Sequence, residues 1–381
     1  MVKPYIKHLS CLHWLWSASF IFINLVGSAQ NSSPEKLSPE TTIKIGLLIP
    51  DKNSLSARQA AEMAIQKANE NPILKGRKFE LVIRSLEGPW GAGSKEAVDM
   101  IFKDEVWAIL GSHDGRNAHL VEQVAAKTQM IFLSAWASDP SLSNAFVPWY
   151  FSVVPNDFQQ SDALIAEVYH NRQFSKIALV SDGDYDSRIA LQSFLTQNKS
   201  AGKPDPLSFQ YDNSSPDFKD LIASLHASKF DAIILLGQAK ASLELVEKLR
   251  AEKNAIPVFC ALAASSGNED WLREMSELGK VQIITSLQYL DSKGAVFVKE
   301  FKQRYGHSPD VLASFAYDGL NILIEGIIKS GFEKEKIQKT LAGIKFLGVT
   351  GLIQFDERGN RKGLPGITKF KDDRTIAIRS K

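Results

Sequence analysis

Three stretches of the chain carry residue types that could do chemistry. Ser112-His113-Asp114 has the letters of a nucleophile, a base and an orienting acid. In a hydrolase those groups hydrogen-bond in series, which neighbours on one loop cannot do. No Gly-x-Ser-x-Gly elbow occurs elsewhere. Gly88 and Gly93, followed by Ser94-Lys95, have the glycine spacing of a phosphate loop. The order is Ser-Lys rather than Lys-Ser/Thr, and Pro89 and Trp90 interrupt it. The stretch reads as a turn, with Ser94 as N-cap of a helix reaching Lys103. Asp182, Asp184 and Asp186 have calcium-loop spacing, but Ser187 replaces the glycine and Ser193 the twelfth-position glutamate. The seven histidines include no His-x3-His pair. No enzymatic activity, cofactor or metal is therefore expected. What remains is the chemistry of binding, with hydroxyls, carboxylates and aromatics placed on loops.

Those loops belong to an alternating pattern. Val106 to Leu110 is an apolar run that stops at Gly111-Ser112-His113-Asp114-Gly115. A helical stretch, Asn117 to Lys127, carries Leu120, Val121, Val124 and Ala125 on one face. A second run, Met130 to Leu133, breaks at Ser134-Ala135-Trp136-Ala137-Ser138. Two short buried strands around one helix make a βαβ unit with a parallel sheet. Ligands of such sheets sit outside the carboxyl ends of the strands, so loops 111–116 and 134–138 should face one crevice.

The same alternation fills the chain. Strands are expected at 43–49, 79–85 and 149–154, with a helix at about 57–69. Beyond Pro155-Asn156-Asp157 a second series begins. It has a helix at about 158–170, then strand 177–180, loop 181–186 and a helix to 198. A short strand at 208–211, a helix at 217–227, strand 232–236, a helix at 241–251 and strand 258–261 follow. Residues 283–289 read as extended, 295–305 and 313–329 as helices, and 351–378 as short strands with turns. Two βα series separated by a polar break imply two lobes of similar topology.

Composition excludes several classes. The 45 basic and 43 acidic residues nearly balance. Lys3 and Lys7 lie in a segment expected to be removed, leaving 43 of each. A net charge near zero gives no electrostatic case for nucleic acid or an anionic membrane. The N-terminus has a basic start, an apolar run from Leu12 to Val26, and Gly27-Ser28-Ala29 before a cut after Ala29. This is the layout of a secretory signal peptide. The alternative is an uncleaved anchor, but the run holds 15 residues, against about 20 for a span. No stable membrane insertion is expected after processing. Cys11 precedes the apolar run, so a lipidation motif is discounted. Cys260 follows Val258-Phe259 and reads as a buried core thiol. Residues 30–41 are polar and read as a flexible leader.

The ordered segments carry a resemblance. They include Ala61-Glu62-Met63-Ala64-Ile65 with Ala68-Asn69, and Gly76-Arg77-Lys78-Phe79-Glu80-Leu81-Val82. Val106 to Ser112, Met130 to Ser138, and Val154-Pro155-Asn156-Asp157 with Gln160 follow. Then come Lys176 to Val180 with Tyr185, Phe301 to Tyr305 with Gly306 and Pro309, and Phe315-Ala316-Tyr317-Asp318. Their order and spacing resemble the type I periplasmic binding proteins, in the leucine/isoleucine/valine-binding branch of ABC-transporter solute receptors. The resemblance implies an α/β fold of two Rossmann-like lobes with parallel sheets, joined by three hinge crossovers near Pro155, Ser286 and Gly348. One lobe is then 42–155 plus 286–347 and the other 156–285 plus 348–381. It also implies a periplasmic location, a small polar solute such as an amino acid or amide, and a membrane permease as partner.

By the same resemblance, a ligand carboxylate is held by backbone N–H groups and a hydroxyl from the two loops of the first lobe. Spacing from Ser134 puts the family's serine position on Gly115, which offers only its N–H. Ser112, Asp114 and Arg116 are near enough to substitute. The second loop gives Trp136, either ligand-facing or lobe packing, and Ser138, which keeps a hydroxyl. In the other lobe Tyr185 stands at a ligand-facing tyrosine position, where the usual Tyr-Gly is Tyr185-Asp186. The carboxylate that amino-acid binders use for the ammonium maps near Ala261 to Ser265, where none exists. A buried ammonium without a partner is costly. Asp114, Asp184 and Gln238 are the substitutes, and branched-chain amino acids are in question. Trp90, in Gly88-Pro89-Trp90-Gly91, reads as a residue of the crevice mouth, or as plain exposure or local packing. A ligand sensor or protein-interaction module on the same fold, regulating a membrane enzyme or receptor, is the alternative function.

Overall fold

The leading strand, β1 (Thr42–Ile49), is nearly all apolar because it lies in the middle of a sheet covered on both faces. Its neighbours are β2 (Lys78–Ser85) and β3 (Ala108–Gly111), both parallel to it. The computed structural model describes residues 41–88, 91–144, 147–212, 217–266, 274–275, 277–285, 292–371 and 374–378. The expected signal, the expected leader up to residue 40, Trp90, and the crossover near Ser286 lie outside these residues.

The first sheet has five parallel strands in the order β2-β1-β3-β4-β5, with β4 at Ile131–Ser134 and β5 at Tyr150–Ser152. Helices α1 (Leu55–Asn69), α2 (Ala92–Phe102) and α3 (Gly115–Thr128) connect its strands. Helix α2 begins at Ala92, so Ser94 lies inside its first turn and is not the N-cap expected.

The second sheet runs β14-β13-β10-β9-β8-β6-β7. Its parallel members are β6 (Ile177–Asp182), β7 (Leu207–Tyr211), β8 (Ala232–Leu235), β9 (Val258–Cys260) and β10 (Val281–Thr285). Strands β13 (Gly366–Lys371) and β14 (Arg374–Ile378) add an antiparallel edge. Helices α4 (Asp157–Ile165), α5 (Tyr185–Ser200), α6 (Lys219–Ser228) and α7 (Ala239–Ala251) accompany it. The helix expected at 158–170 instead turns π-helical over Ala166–Asn171, where Glu167 accepts from both Asn171 Nδ2 and Arg172 Nε.

The chain crosses between the sheets three times. It leaves β5 for α4 and returns after β10 to α8 (Ser292–Tyr305) and α9 (Val311–Lys329). Helix α9 is apolar enough by composition to cross a membrane, but it packs on α1 and β3 inside the first lobe. After α10 (Ile337–Ala342) and the hairpin β11 (Phe346–Gly348) and β12 (Gly351–Ile353), the chain passes to β13. Buried side chains fasten this last crossing. The Asp318 carboxylate accepts from Val349 N (2.8 Å), Thr350 N (2.7 Å) and Thr350 Oγ1 (2.6 Å). Arg361 donates to Val153 O (3.0 Å), Thr350 Oγ1 (2.9 Å) and Leu352 O (3.2 Å). Arg361 thus ties the first crossing, at Val153, to the last. Gly348 has no side chain because a Cβ there would lie 2.3 Å from the Asp318 carboxylate.

Candidate functional site

The site starts at the carboxyl end of β3. Asp114 is extended (ψ 163°), and its carboxylate accepts from Asn117 N at 3.0 Å and Asn117 Nδ2 at 2.8 Å. That N-cap starts α3 at Gly115, two residues before the expected helix. Gly115 and Arg116 therefore lie in the first helical turn, not in a loop. Ser112 is fully buried, with its N–H on Leu48 O and its hydroxyl unpartnered among the described residues. His113 is buried too, its ring stacked on Phe132 at 6.0 Å, and burial lowers its pKa, favouring the neutral form. The Ser-His-Asp letters are thus a core histidine between a buried serine and a helix cap.

The segment after β4 meets the first crossing. Ser138 O accepts from Asp157 N at 2.9 Å, and the Ser138 side chain lies close enough to the Asp157 carboxyl to favour its charged form. Burial pushes that carboxyl well above the ordinary range. Trp136 is half-buried and packs against the core. Asp139 is the acceptor on which this corner converges. It takes His119 Nε2 (2.9 Å), Ser141 N (2.8 Å), Ser141 Oγ (2.6 Å) and Tyr185 Oη (2.8 Å). Burial alone would raise its pKa, but hydrogen bonds from His119, Ser141 and Tyr185 hold it at about 2. The same bond lifts His119 above the ordinary imidazole value, against the effect of burial.

In the second lobe, β6 runs to Asp182, two residues further than expected. Buried Asp182 accepts from Asp184 N (3.1 Å) and Gln238 N (2.9 Å). Asp184 is the extended N-cap residue of α5, and Gln238 holds the same place on α7. Asp182 thereby ties two helix starts together at the carboxyl ends of β6 and β8. Gln160 Oε1 accepts from Leu262 N at 2.9 Å and anchors the segment after β9.

The two lobes touch at the starts of α3 and α5. Gly115 N donates to Asp186 Oδ1 at 3.0 Å, Tyr185 Oη donates to Asp139, and the Arg116 guanidinium lies 5.5 Å from the Tyr185 ring centre. Burial, then the charges of Asp114, Asp139 and Asp184, push the Asp186 carboxyl up to about 6 against the Gly115 N–H. The structure thus brings Gly115, Arg116 and Tyr185 into contact. It places Asp114, Trp136 and Ser138 on the carboxyl-end segments of the same lobe as Gly115. Gln238 joins through Asp182, and Ser112 is sealed below. Sequence reasoning did not single out Asp139 and Asp186 as site residues. The signal for Asp186 was its place after Tyr185, where glycine is usual. For Asp139 there was none before the fold was known. Among the described residues, no group of three or more His, Cys, Asp or Glu could hold a metal ion.

Comparison with known proteins matches this architecture. A family model described as periplasmic binding protein covers residues 42–365. The branched-chain amino acid transporter substrate-binding protein LivJ of Streptococcus pneumoniae, solved with isoleucine, is 18% identical with a TM-score of 0.77. The match covers 88% of this chain and 99% of that one. A solute-binding protein of an ABC transporter from Rhodopseudomonas palustris, solved with 3,4-dihydroxybenzoic acid, is also 18% identical, with a TM-score of 0.75. Coverage there is 88% of this chain and 96% of the other. Glutamate receptor 3.4 of Arabidopsis thaliana is 19% identical over 89% of this chain and 40% of the receptor. Glutamate receptor 3.1 of Oryza sativa is 22% identical over 81% and 38%. The chain spans about two fifths of the length of these curated relatives. Two α/β lobes facing each other at the carboxyl ends of their sheets, and a family match over most of the chain, place the protein in the periplasmic binding protein family, in its type I form.

Proposed function

We propose that the protein is an extracytoplasmic receptor that captures a small polar solute between its lobes and presents it to the permease of an ABC transporter. The supporting observation is the convergence of the starts of α3 and α5 on one cleft. Helix N-termini are natural sites for polar and anionic groups. The lobes on this reading are 42–155 plus 286–347 and 156–285 plus 348–381. Asp114, Gly115, Arg116, Trp136, Ser138, Tyr185 and Gln238 are the binding set, and Ser112, expected in it from the sequence, is left out because it is sealed in the core. Hinge closure around the solute supplies the shape that the permease reads. Residues 1–29 act as the signal for export.

The experiment is a thermal-shift screen of the chain from residue 30, unfolded and refolded to strip any solute. The panel holds branched-chain amino acids, amides, ureas, benzoate and 3,4-dihydroxybenzoate. A solute at a hundred times its Kd stabilises by about 2.7 kcal/mol. A shift abolished by Ser138→Ala or Tyr185→Ala supports the reading, and silence from folded protein rejects it. Silence would favour the sensor or interaction-module reading. That reading draws on the protein's own side chains bridging the cleft and on the curated relatives named as glutamate receptors.

A further inference from the structure

We propose that Asp186 is a built-in stand-in for a solute carboxylate: it fills the amide-lined start of α3, ties the lobes together without solute, and excludes carboxylates from that corner. The tie is independent of any ligand, while the exclusion rests on the solute-receptor reading.

The geometry is specific. Helix α3 has 14 residues, and the amides of its first turn have no partner within the helix. Asp114 takes the Asn117 amide from the same lobe, and Asp186 takes the Gly115 amide from the other. A Cβ on residue 115 would lie 2.8 Å from Asp186 Oδ1, 3.3 Å from Asp139 Cβ and 3.3 Å from Tyr185 Cε1. The absent side chain at 115 and the added carboxylate at 186 are therefore complementary. With either a hydroxymethyl at 115 or an incoming carboxylate, Asp186 could not keep its place. The neighbouring Tyr185–Asp139 hydrogen bond and the Arg116–Tyr185 contact close the same corner.

Charge points the same way. Asp114, Asp139 and Asp184 bear on Asp186, against the Arg116 guanidinium over Tyr185 and a His119 on Asp139 that adds positive charge only when protonated. A further carboxylate would add to an excess of negative charge. An ammonium, amidinium or amide N–H would relieve it.

Small-angle scattering and calorimetry on wild type, Asp186→Gly and Gly115→Ala test the proposal. Benzoate and isoleucine serve as carboxylate probes, and benzamidine as the cationic probe. Both solute-free variants should show a larger radius of gyration than wild type. Asp186→Gly should bind a carboxylate probe about ten- to a hundredfold more tightly, the weight of one charge-assisted hydrogen bond. If both variants stay as compact as wild type, the tie does not exist. If wild type binds benzoate or isoleucine as tightly as Asp186→Gly, the exclusion is wrong. Opened variants with no response to any probe would uphold the tie and count against the solute-receptor reading instead.

Discussion

Gly115 and Asp186 form a hydrogen bond that spans the cleft, with 3.0 Å between the amide nitrogen and Oδ1. The relationship is also steric, because any Cβ at 115 would press on the same oxygen. The two positions should therefore be coupled in energy. At pH 5, where the folded state holds the Asp186 proton, Gly115→Ala and Asp186→Ala should each destabilise by about 1 kcal/mol, the weight of an ordinary hydrogen bond. The double variant should cost about 1 kcal/mol less than the sum of the two. Denaturant melts of all four proteins measure this, and simple additivity would show that the two residues act separately.

Stability should depend on pH in a defined direction. Asp186 titrates near 6 in the folded protein, above its ordinary 3.8. The folded state holds that proton more tightly, so the contribution grows as pH falls through 6. His119 is raised above 6.5 by Asp139, so its contribution is full below 6.5 and lost as pH rises through the folded value. Both effects raise the Tm from about pH 8 to about pH 5. Asp139, held at about 2, acts the other way, and its contribution disappears as pH falls toward 2. His119→Gln with Asp186→Asn should flatten the limb between pH 5 and 8. An unchanged limb in that double variant would assign it to other groups.

Asp318 and Arg361, both buried and joined through Thr350 rather than by direct contact, fasten the last crossing. Removing the Arg361 guanidinium leaves the buried Val153 and Leu352 carbonyls without this donor, which costs about 1–3 kcal/mol. Arg361→Met should show that loss in a chemical melt, and Thr350→Val, which removes one hydroxyl from between them, should cost about 1 kcal/mol. A loss under 1 kcal/mol for Arg361→Met would mean that the Val153 end of the network carries no strain when cut.

Cys260 is fully buried on β9, and burial pushes its thiol pKa up. A thiol reagent should leave the native protein unlabelled at neutral pH and label it once it is unfolded. Rapid labelling of folded protein would place Cys260 on an opening segment.

The sequence by itself determined the fold class and most of the elements that carry the site. Apolar runs ending in small polar residues marked β3 and β4, because a strand covered on both faces must be apolar along its length. Helix starts were harder. Asp114 stops a strand and starts a helix within four residues, and composition alone does not show which backbone amide an aspartate will cap. Gly115, Arg116 and Tyr185, named through spacing and resemblance, come together where the lobes touch. Asp139 and Asp186 were not named, since Asp139 takes its Tyr185 donor, and Asp186 its Gly115 amide, from across the cleft. Asp139 gathers donors from α3, from its own turn and from α5, three places far apart in sequence. Asp186 meets an amide 71 positions away. Periodicity reports which face of an element is buried. Only the tertiary structure decides which carboxylate of one lobe lies against which amide of the other.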